Sequence, residues 1–274
     1  MPDPIEPFLS FPPEPVPVHA SRLQLVGGGS NLLVVPDSVD PSSSWLPVAE
    51  ALVHHRVWLL GRSDPHDHEI RTTDTLADTV AHAVASLGGR PAVLGHGTGA
   101  VAVLQALIAQ PDLPASRAIL YEPLLPVTGR LFDRLTPEIL DAIDNRDLER
   151  AIRLYLDHVI PMPQHRADRM VALSSLQSLV PALVPELRQV DHLLWTAADA
   201  ARITVPVLLL LGELSPAHPA GTASAALAEA IPDVRTQLLP GQRHFVSAAA
   251  APDIAGRIDR FLTEPPRPAS AAAA

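Results

Sequence analysis

The stretch that decides the fold is Val93-Leu94-Gly95-His96-Gly97-Thr98-Gly99-Ala100. An apolar run enters it and the helix-forming run 101–110 leaves it, which predicts a sharp turn from a strand into a helix. Within it, Gly95-His96-Gly97-Thr98-Gly99 has the spacing of a nucleophile elbow, in which small residues flank a central residue that projects above the sheet. The central residue here is Gly97. Because glycine adopts a positive φ without steric penalty, we predict a positive φ at Gly97 but no nucleophilic side chain.

Composition limits the classes of function. With 274 residues, 47% of them hydrophobic, the chain can bury a large core, and we expect one domain with an insertion. There is no cysteine, which excludes disulfides, thiolate zinc sites and a cysteine nucleophile. All 20 basic residues are arginine, which excludes Schiff-base lysine chemistry. A net charge of −10 disfavours nucleic acid and anionic membranes as partners, and we expect a cytoplasmic protein that acts on a small molecule without a cofactor.

The two ends of the chain differ in composition from the rest. Residues 1–17 hold seven prolines and predict an extended arm, which would pack on the body of the protein or on a second subunit in a homodimer. Residues 264–274 are rich in proline and alanine and predict a disordered tail.

Between the ends, apolar runs typical of buried strands alternate with helical patterns. Residues 23–26 and 31–35 flank three consecutive glycines and predict a hairpin. Residues 18–127 and 202–263 predict a mostly parallel sheet flanked by helices, which is an α/β core. Residues 128–201 show only helical patterns and predict a helical lid over the carboxyl ends of the strands.

The order of these elements resembles the α/β-hydrolase superfamily over about residues 18–262. The elbow comes first, the helical insertion follows, and the last two strands end in Gly212-Glu213-Leu214-Ser215-Pro216 and in Gly241-Gln242-Arg243-His244. The resemblance implies an α/β-hydrolase fold in which nucleophile, acid and histidine follow one another in the chain. His244 then matches the catalytic histidine, while Gly97 stands in place of the serine.

The resemblance leaves the acid open. Ser215 stands where many members carry the acid, so Glu122, after the strand before the insertion, is the better candidate, and Glu213 lies too early in its turn. The resemblance also implies that the oxyanion donors are the backbone N–H groups of Ser38 and Thr98. Asp37 precedes them in place of a glycine, and its charge would oppose an oxyanion there.

These departures predict an enzyme without a covalent nucleophile. His244 would act as general acid or base, oriented by Asp37 or Glu122, in a lyase, isomerase, dehydration, cyclisation or direct water-hydrolysis reaction. The substrate would be a small apolar carbonyl or ester compound, and the arginine-only composition suggests a biosynthetic setting. Two alternatives stay open, namely a non-catalytic ligand-binding protein and a serine hydrolase whose nucleophile at position 97 was mutated.

Other polar and aromatic residues are weaker candidates. We predict that His96, Ser215 and Trp195 line the pocket, with Met162 and Met170 under the lid. The loop at 64–69 carries five potential metal ligands, but we interpret it as a solvated acidic loop and predict no metal site: Asp64, His66, Asp67, His68 and Glu69.

Overall fold

The computed structural model describes residues 23–40, 42–61, 76–127, 130–133, 135–160, 162–193, 195–215 and 219–265. The predicted arm, the acidic loop at 64–69 and the tail beyond residue 265 lie outside these residues. In the part that is described, none of the helices has the length and apolar character needed to cross a membrane.

Seven strands form one sheet in the described chain. In chain order they are β1 (Leu23–Gly27), β2 (Ser30–Val35), β3 (His55–Leu60), β4 (Ala92–His96), β5 (Ala118–Tyr121), β6 (Val207–Gly212) and β7 (Val234–Leu239). Their order in the sheet is β1-β3-β2-β4-β5-β6-β7, and every neighbouring pair is parallel except β1 with β3. The central strands β4, β5 and β6 are buried at every position, as expected where helices cover both faces of a parallel sheet.

The predicted hairpin between residues 23–26 and 31–35 is wrong. Strand β1 pairs antiparallel with β3, and β3 lies between β1 and β2. The glycines explain the difference, because a Cβ atom at Gly27 would lie 2.6 Å from the carbonyl oxygen of His55 and one at Gly29 would lie 2.1 Å from that of His54. The glycine backbone therefore passes directly against the start of β3 and leads the chain over it.

Helices cover both faces of the sheet. One layer packs α2 (Leu76–Ser86), α3 (Thr98–Ala109) and α10 (Pro219–Ala230) on one face, and α1 (Leu46–Ala51) and α11 (Ala251–Thr263) cover the other. The described residues between β5 and β6 contain helices and turns but no strand: α4 (Leu135–Asp144), α5 (Leu148–Val159), α6 (Gln164–Val171), α7 (Ser174–Gln177), α8 (Val180–His192) and α9 (Ala197–Ala200). We call these six helices the insertion.

The insertion is packed on the core through buried side chains. Ile139, Ile152 and Leu183 are fully buried and belong to the same apolar cluster as helix α3. At its entrance, the Asp191 carboxylate accepts hydrogen bonds from the backbone N–H groups of Leu131 and Phe132. The buried side chains pack the insertion against helix α3, and the Asp191 carboxylate holds the segment before α4 to helix α8. A mobile lid function stays a prediction.

The predicted elbow is present between β4 and α3. Gly97 has φ 56° and ψ −118°, which confirms the predicted positive φ. Its neighbours are glycine for a different reason, namely close approach of backbone to backbone. A Cβ atom at Gly99 would lie 2.3 Å from the Val35 carbonyl oxygen and 2.4 Å from that of Pro36, so helix α3 begins directly against the end of β2.

We expect Gly99→Ala to lower the free energy of unfolding by about 2 to 4 kcal/mol, because backbone atoms must shift to admit the methyl group. Gly256→Ala is the matched control. Gly256 lies on the exposed side of α11 with no atom within 4 Å of its would-be Cβ, so alanine there should be neutral or stabilising by up to about 1 kcal/mol. Urea unfolding followed by circular dichroism measures both, and equal stability of the two variants would contradict this account of the elbow.

Candidate active site

Glu122 is the first residue after β5 and is held rigidly. Its backbone has φ 44°, and its side chain is fully buried. Oε1 accepts a hydrogen bond of 2.8 Å from the backbone N–H of Gly212. The nearby hydroxyl of Ser215 helps to lower the pKa of this carboxyl group. Oε2 lies 2.9 Å from Nδ1 of His244. The end of β6 and the turn after it therefore aim this carboxylate at the histidine.

Asp37 lies on the other side of the same imidazole and is also fully buried. Its Oδ1 accepts hydrogen bonds of 2.8 Å from both the backbone N–H and the hydroxyl of Thr98. Its Oδ2 accepts one of 3.1 Å from the hydroxyl of Tyr155, on insertion helix α5, and lies 3.4 Å from Nε2 of His244. The structure thus brings both candidate carboxylates to His244, one at each ring nitrogen.

Gly97 makes room for the Asp37 carboxylate. A Cβ atom at position 97 would lie 2.4 Å from Oδ1 and 2.5 Å from Cγ of Asp37, distances at which atoms overlap. The carboxylate of Asp37 therefore occupies the volume in which a side chain at the elbow would begin. Gly97 and Asp37 are sterically complementary, which argues against a simple loss of a serine side chain.

The predicted oxyanion donors are already hydrogen-bonded within the chain. The N–H of Thr98 donates to Asp37, and the N–H of Ser38 donates to Oγ1 of Thr98 over 2.9 Å. The Thr98 amide lies at the elbow and the Ser38 amide on the loop after β2, and both point at protein acceptors and do not converge on an open position. An oxyanion would have to displace Asp37 to reach the Thr98 amide.

The two carboxylates fix the charge of the histidine. Burial by itself would lower the pKa of His244, but hydrogen bonds and charge from Asp37 and Glu122 raise it from 6.5 to about 9. Burial would raise the pKa values of Asp37 and Glu122, but the hydrogen bond and the charge of His244 lower both. The contacts therefore favour a charged imidazolium between two ionised carboxylates.

His96 lies behind the site rather than in it. It is fully buried, and its Nδ1 lies 3.0 Å from Oδ2 of Asp40, which also accepts a hydrogen bond from Trp45. Its ring is 4.4 Å from the ring of His244, centre to centre. Asp40 did not emerge from the sequence, although its position three residues after Asp37 places it on the same loop.

A small cavity borders His244. Its volume is about 30 Å³, enough for about two water molecules. The predicted Ser215, Met162 and Met170 are among its lining residues, and the others come from the insertion and the turn after β7: Ile160, Arg166, Arg243, His244 and Phe245. Of the other predicted pocket residues, His96 packs against Asp40 instead. Trp195 does not line this cavity either, because its indole N–H is bonded to the Pro126 carbonyl.

No cluster of histidine and acidic side chains within the described ranges has the arrangement of a metal site.

Sequence comparison identifies the family. Residues 26–256 match the sequence profile of the alpha/beta hydrolase family. The chain belongs to this family. A comparison with curated proteins gives no match.

Solved structures of alpha/beta hydrolases share the fold at low identity. An alpha/beta hydrolase from Sphaerobacter thermophilus is 22% identical with a TM-score of 0.74, covering 88% of this chain and 95% of that one. MenH from S. aureus is 15% identical with a TM-score of 0.69, covering 88% and 98%. An enol-lactonase from Burkholderia xenovorans is 18% identical with a TM-score of 0.66, covering 88% and 96%. At these identities the likeness establishes the fold.

The ionisation of this alpha/beta hydrolase site predicts a pH dependence of stability. Because the pKa of His244 is raised on folding, its contribution is fully present below pH 6.5 and is lost as the pH rises through about 9. Because the pKa values of Asp37 and Glu122 are lowered, their contributions are present above about pH 4.5 and are lost in acid. We expect the free energy of unfolding to be highest between about pH 4.5 and 6.5 and to fall toward pH 9.

The variant Asp37→Asn isolates the contribution of His244 to the pH dependence of stability. It removes one of the two carboxylates that raise the pKa of His244, so the alkaline loss of stability should begin at lower pH. His54→Gln, at an exposed histidine, is the control and should leave the profile unchanged. Urea unfolding across the pH range tests this, and identical alkaline profiles for Asp37→Asn and the wild type would contradict the assignment.

Proposed function

We propose that this alpha/beta hydrolase is an enzyme that transfers protons on a small, largely apolar carbonyl or ester substrate, without a covalent nucleophile at position 97. The observation that carries the proposal is the His244 imidazolium, which lies between Asp37 and Glu122 and lines the cavity. The substrate is larger than the cavity, so its entry requires that α6 and the end of α5 move away from the turn after β7.

His244 supplies the acid. An imidazolium facing a carbonyl oxygen donates a hydrogen bond or a proton to it as negative charge develops. In this site His244 would stabilise the developing oxyanion, because the backbone N–H groups of Ser38 and Thr98 already donate hydrogen bonds to side chains of the protein. Glu122 keeps the ring in place through Nδ1 over 2.9 Å, and the substrate carbonyl would replace Asp37 as the acceptor at Nε2, where the contact is longer at 3.4 Å.

The charge of His244 favours some reaction classes over others. Direct hydrolysis of an ester by an activated water needs an unprotonated histidine as base, whereas Asp37 and Glu122 raise the pKa of His244 and so favour its protonated form. Proton transfer next to a carbonyl needs an acid for the oxygen, which His244 supplies, and a carboxylate for the C–H proton. Asp37, beside Nε2 of His244, would take that proton once entry of the substrate has exposed it. We therefore favour isomerase, lyase, dehydration or cyclisation chemistry over hydrolysis.

Arginine side chains favour a substrate that also carries an anionic group. Arg243 and Arg166 line the cavity together with Met162, Met170 and the ring of Phe245. Within the described residues neither guanidinium is paired with a carboxylate. A small apolar acid with an adjacent carbonyl satisfies the guanidinium groups, the apolar wall and the imidazolium together.

Exchange of the C–H protons of phenylpyruvate in D₂O tests the proposal, because this molecule combines an aromatic ring, a ketone and a carboxylate. We expect the wild type to accelerate exchange, measured by proton NMR, and His244→Ala to reduce it to background while leaving phenylpyruvate affinity within about tenfold. His54→Ala is the control. Undiminished exchange in His244→Ala would overturn the mechanism. The rate of exchange by the wild type should also fall as the pH rises through about 9, the pKa of His244, and a fall at a different pH would contradict the mechanism.

The variant Gly97→Ser tests whether a serine is all that the site lacks. We expect no burst of nitrophenol from a nitrophenyl ester, because the new side chain collides with Asp37 and the carboxylate keeps the Thr98 amide. The double variant Gly97→Ser with Asp37→Gly removes the collision and frees that amide, so the serine with His244 and Glu122 should give a burst. A burst from Gly97→Ser alone would support the alternative of a mutated serine hydrolase.

A non-catalytic ligand-binding protein is the second candidate. The supporting observation is that Asp37, Glu122 and the two amides all have partners inside the chain, which leaves a closed and electrostatically satisfied site. Tight binding of phenylpyruvate without exchange in the wild type would favour this candidate. Binding with exchange would exclude it.

A further inference from the structure

His96 lies among aromatic rings directly behind His244. The centres of the two imidazole rings are 4.4 Å apart, and their planes are inclined by 39°. Three further rings contact His96, with centre-to-centre distances of 5.0 Å for Tyr121, 5.6 Å for Trp45 and 6.2 Å for Phe245. The His96 side chain is fully buried. Its charge and its tautomer therefore act on His244 without screening by solvent at that ring.

A carboxylate fixes a proton on one ring nitrogen of His96. Nδ1 lies 3.0 Å from Oδ2 of Asp40, and the same oxygen accepts a hydrogen bond of 3.2 Å from the indole N–H of Trp45. An ionised carboxylate only accepts hydrogen bonds, so Nδ1 must be the donor in its contact with Asp40. The proton of a neutral His96 therefore lies on Nδ1.

The other ring nitrogen decides whether His96 is charged. Nε2 is buried and has no hydrogen-bond partner in the part of the chain that the structure describes. A cationic His96 would carry an N–H group there, and a buried N–H without an acceptor is costly. The cation would also lie against the imidazolium of His244. A neutral His96 avoids both costs.

The charged groups around His96 act in opposite directions. Asp40 and Asp37, on the loop after β2, carry negative charges that favour a cation at His96. His244, on the turn after β7, disfavours one. Tyr121 stays neutral, because burial raises the pKa of its hydroxyl well above 10. The unpaired Nε2 decides between these influences, because a proton on it would have no acceptor.

We propose that His96 is a positioning residue, a neutral ring whose tautomer is fixed by Asp40 and which stabilises the imidazolium of His244. A cation within about 6 Å of an aromatic ring is attracted by the π electrons of that ring, and a neutral imidazole at 4.4 Å supplies such electrons. A second contact fixes the same turn, since the hydroxyl of Tyr121 donates to the carbonyl of Arg243, the residue before His244.

This inference rests on the proposed acid–base function and deepens it. The proposed reaction needs His244 in its charged form, with the ring held where Nε2 meets the substrate carbonyl. His96 favours that form and occupies the space behind the ring. It acts only through His244 and does not line the cavity in which the substrate binds.

Nitrogen-15 NMR of the histidine side chains tests the charge and the tautomer in the unmodified protein. The signals of His96 and His244 are assigned by their loss in His96→Asn and in His244→Ala. At pH 7 we expect His96 to carry a proton on Nδ1 alone. A His96 with protons on both nitrogens, or on Nε2 alone, would overturn the proposal.

Two substitutions separate the ring of His96 from its hydrogen bond. His96→Asn keeps a donor for Asp40 but removes the ring, whereas His96→Phe keeps a ring but removes the donor. We expect proton binding by His244, followed by NMR titration, to weaken about tenfold in His96→Asn and to stay within about threefold of the wild type in His96→Phe. An unchanged titration of His244 in His96→Asn, or an equal loss in both variants, would contradict the role of the ring.

His55→Asn is the matched control, because it also removes a buried histidine that is paired with a carboxylate. His55 begins β3, and its Nε2 lies 2.9 Å from Oδ1 of Asp259 on α11. The titration of His244 should be unchanged in this variant, and a loss equal to that in His96→Asn would overturn the proposal. Circular dichroism checks that each variant is folded.

None of these measurements uses a substrate. Failure of the phenylpyruvate exchange together with a neutral His96 and a weakened His244 in His96→Asn would therefore count against the proposed function alone.

Discussion

The whole site depends on the attraction between one buried imidazolium and two buried carboxylates. At an effective dielectric constant of about 20, a pair of opposite charges about 4 Å apart attracts by roughly 4 kcal/mol, and burial of an unpaired charge costs several kcal/mol. Asp37, Glu122 and His244 follow three different strands, β2, β5 and β7. Their mutual attraction therefore holds together the loops that follow the carboxyl ends of these three strands, on the side of the sheet edge where the insertion lies.

The elbow of this chain carries no nucleophilic side chain, and a carboxylate from a neighbouring loop lies against it. In a serine enzyme of this fold, the turn presents a hydroxyl and the neighbouring amide receives the oxyanion. Here Gly97 has no side chain. The Asp37 carboxylate occupies the volume in which a side chain would begin, and it accepts the hydrogen bond of the Thr98 amide. A carboxylate held in this way resembles a bound oxyanion that belongs to the protein. The cationic group that remains facing the cavity is His244, and for this reason the function proposed above is proton transfer and not acyl transfer.

Much of this architecture could be predicted from local sequence signals. The glycine spacing at 95–99 predicted the turn and the positive φ at Gly97, and the resemblance drew attention to His244 and Glu122. The pairing of β1 was missed, because its partner β3 is set by contacts of Gly27 and Gly29 with a distant backbone. Tyr155 was also missed. It lies 118 residues along the chain from Asp37, whose carboxylate its hydroxyl contacts, and no local pattern marks it.

The measurement that tests the central claim most directly is a neutron diffraction structure of the deuterium-exchanged protein at neutral pH. The account predicts deuterium on both ring nitrogens of His244, with Nδ1 bonded to Glu122 and Nε2 facing Asp37, and none on either carboxylate. A neutral imidazole, with deuterium on one ring nitrogen and on the oxygen of Asp37 or Glu122, would contradict it.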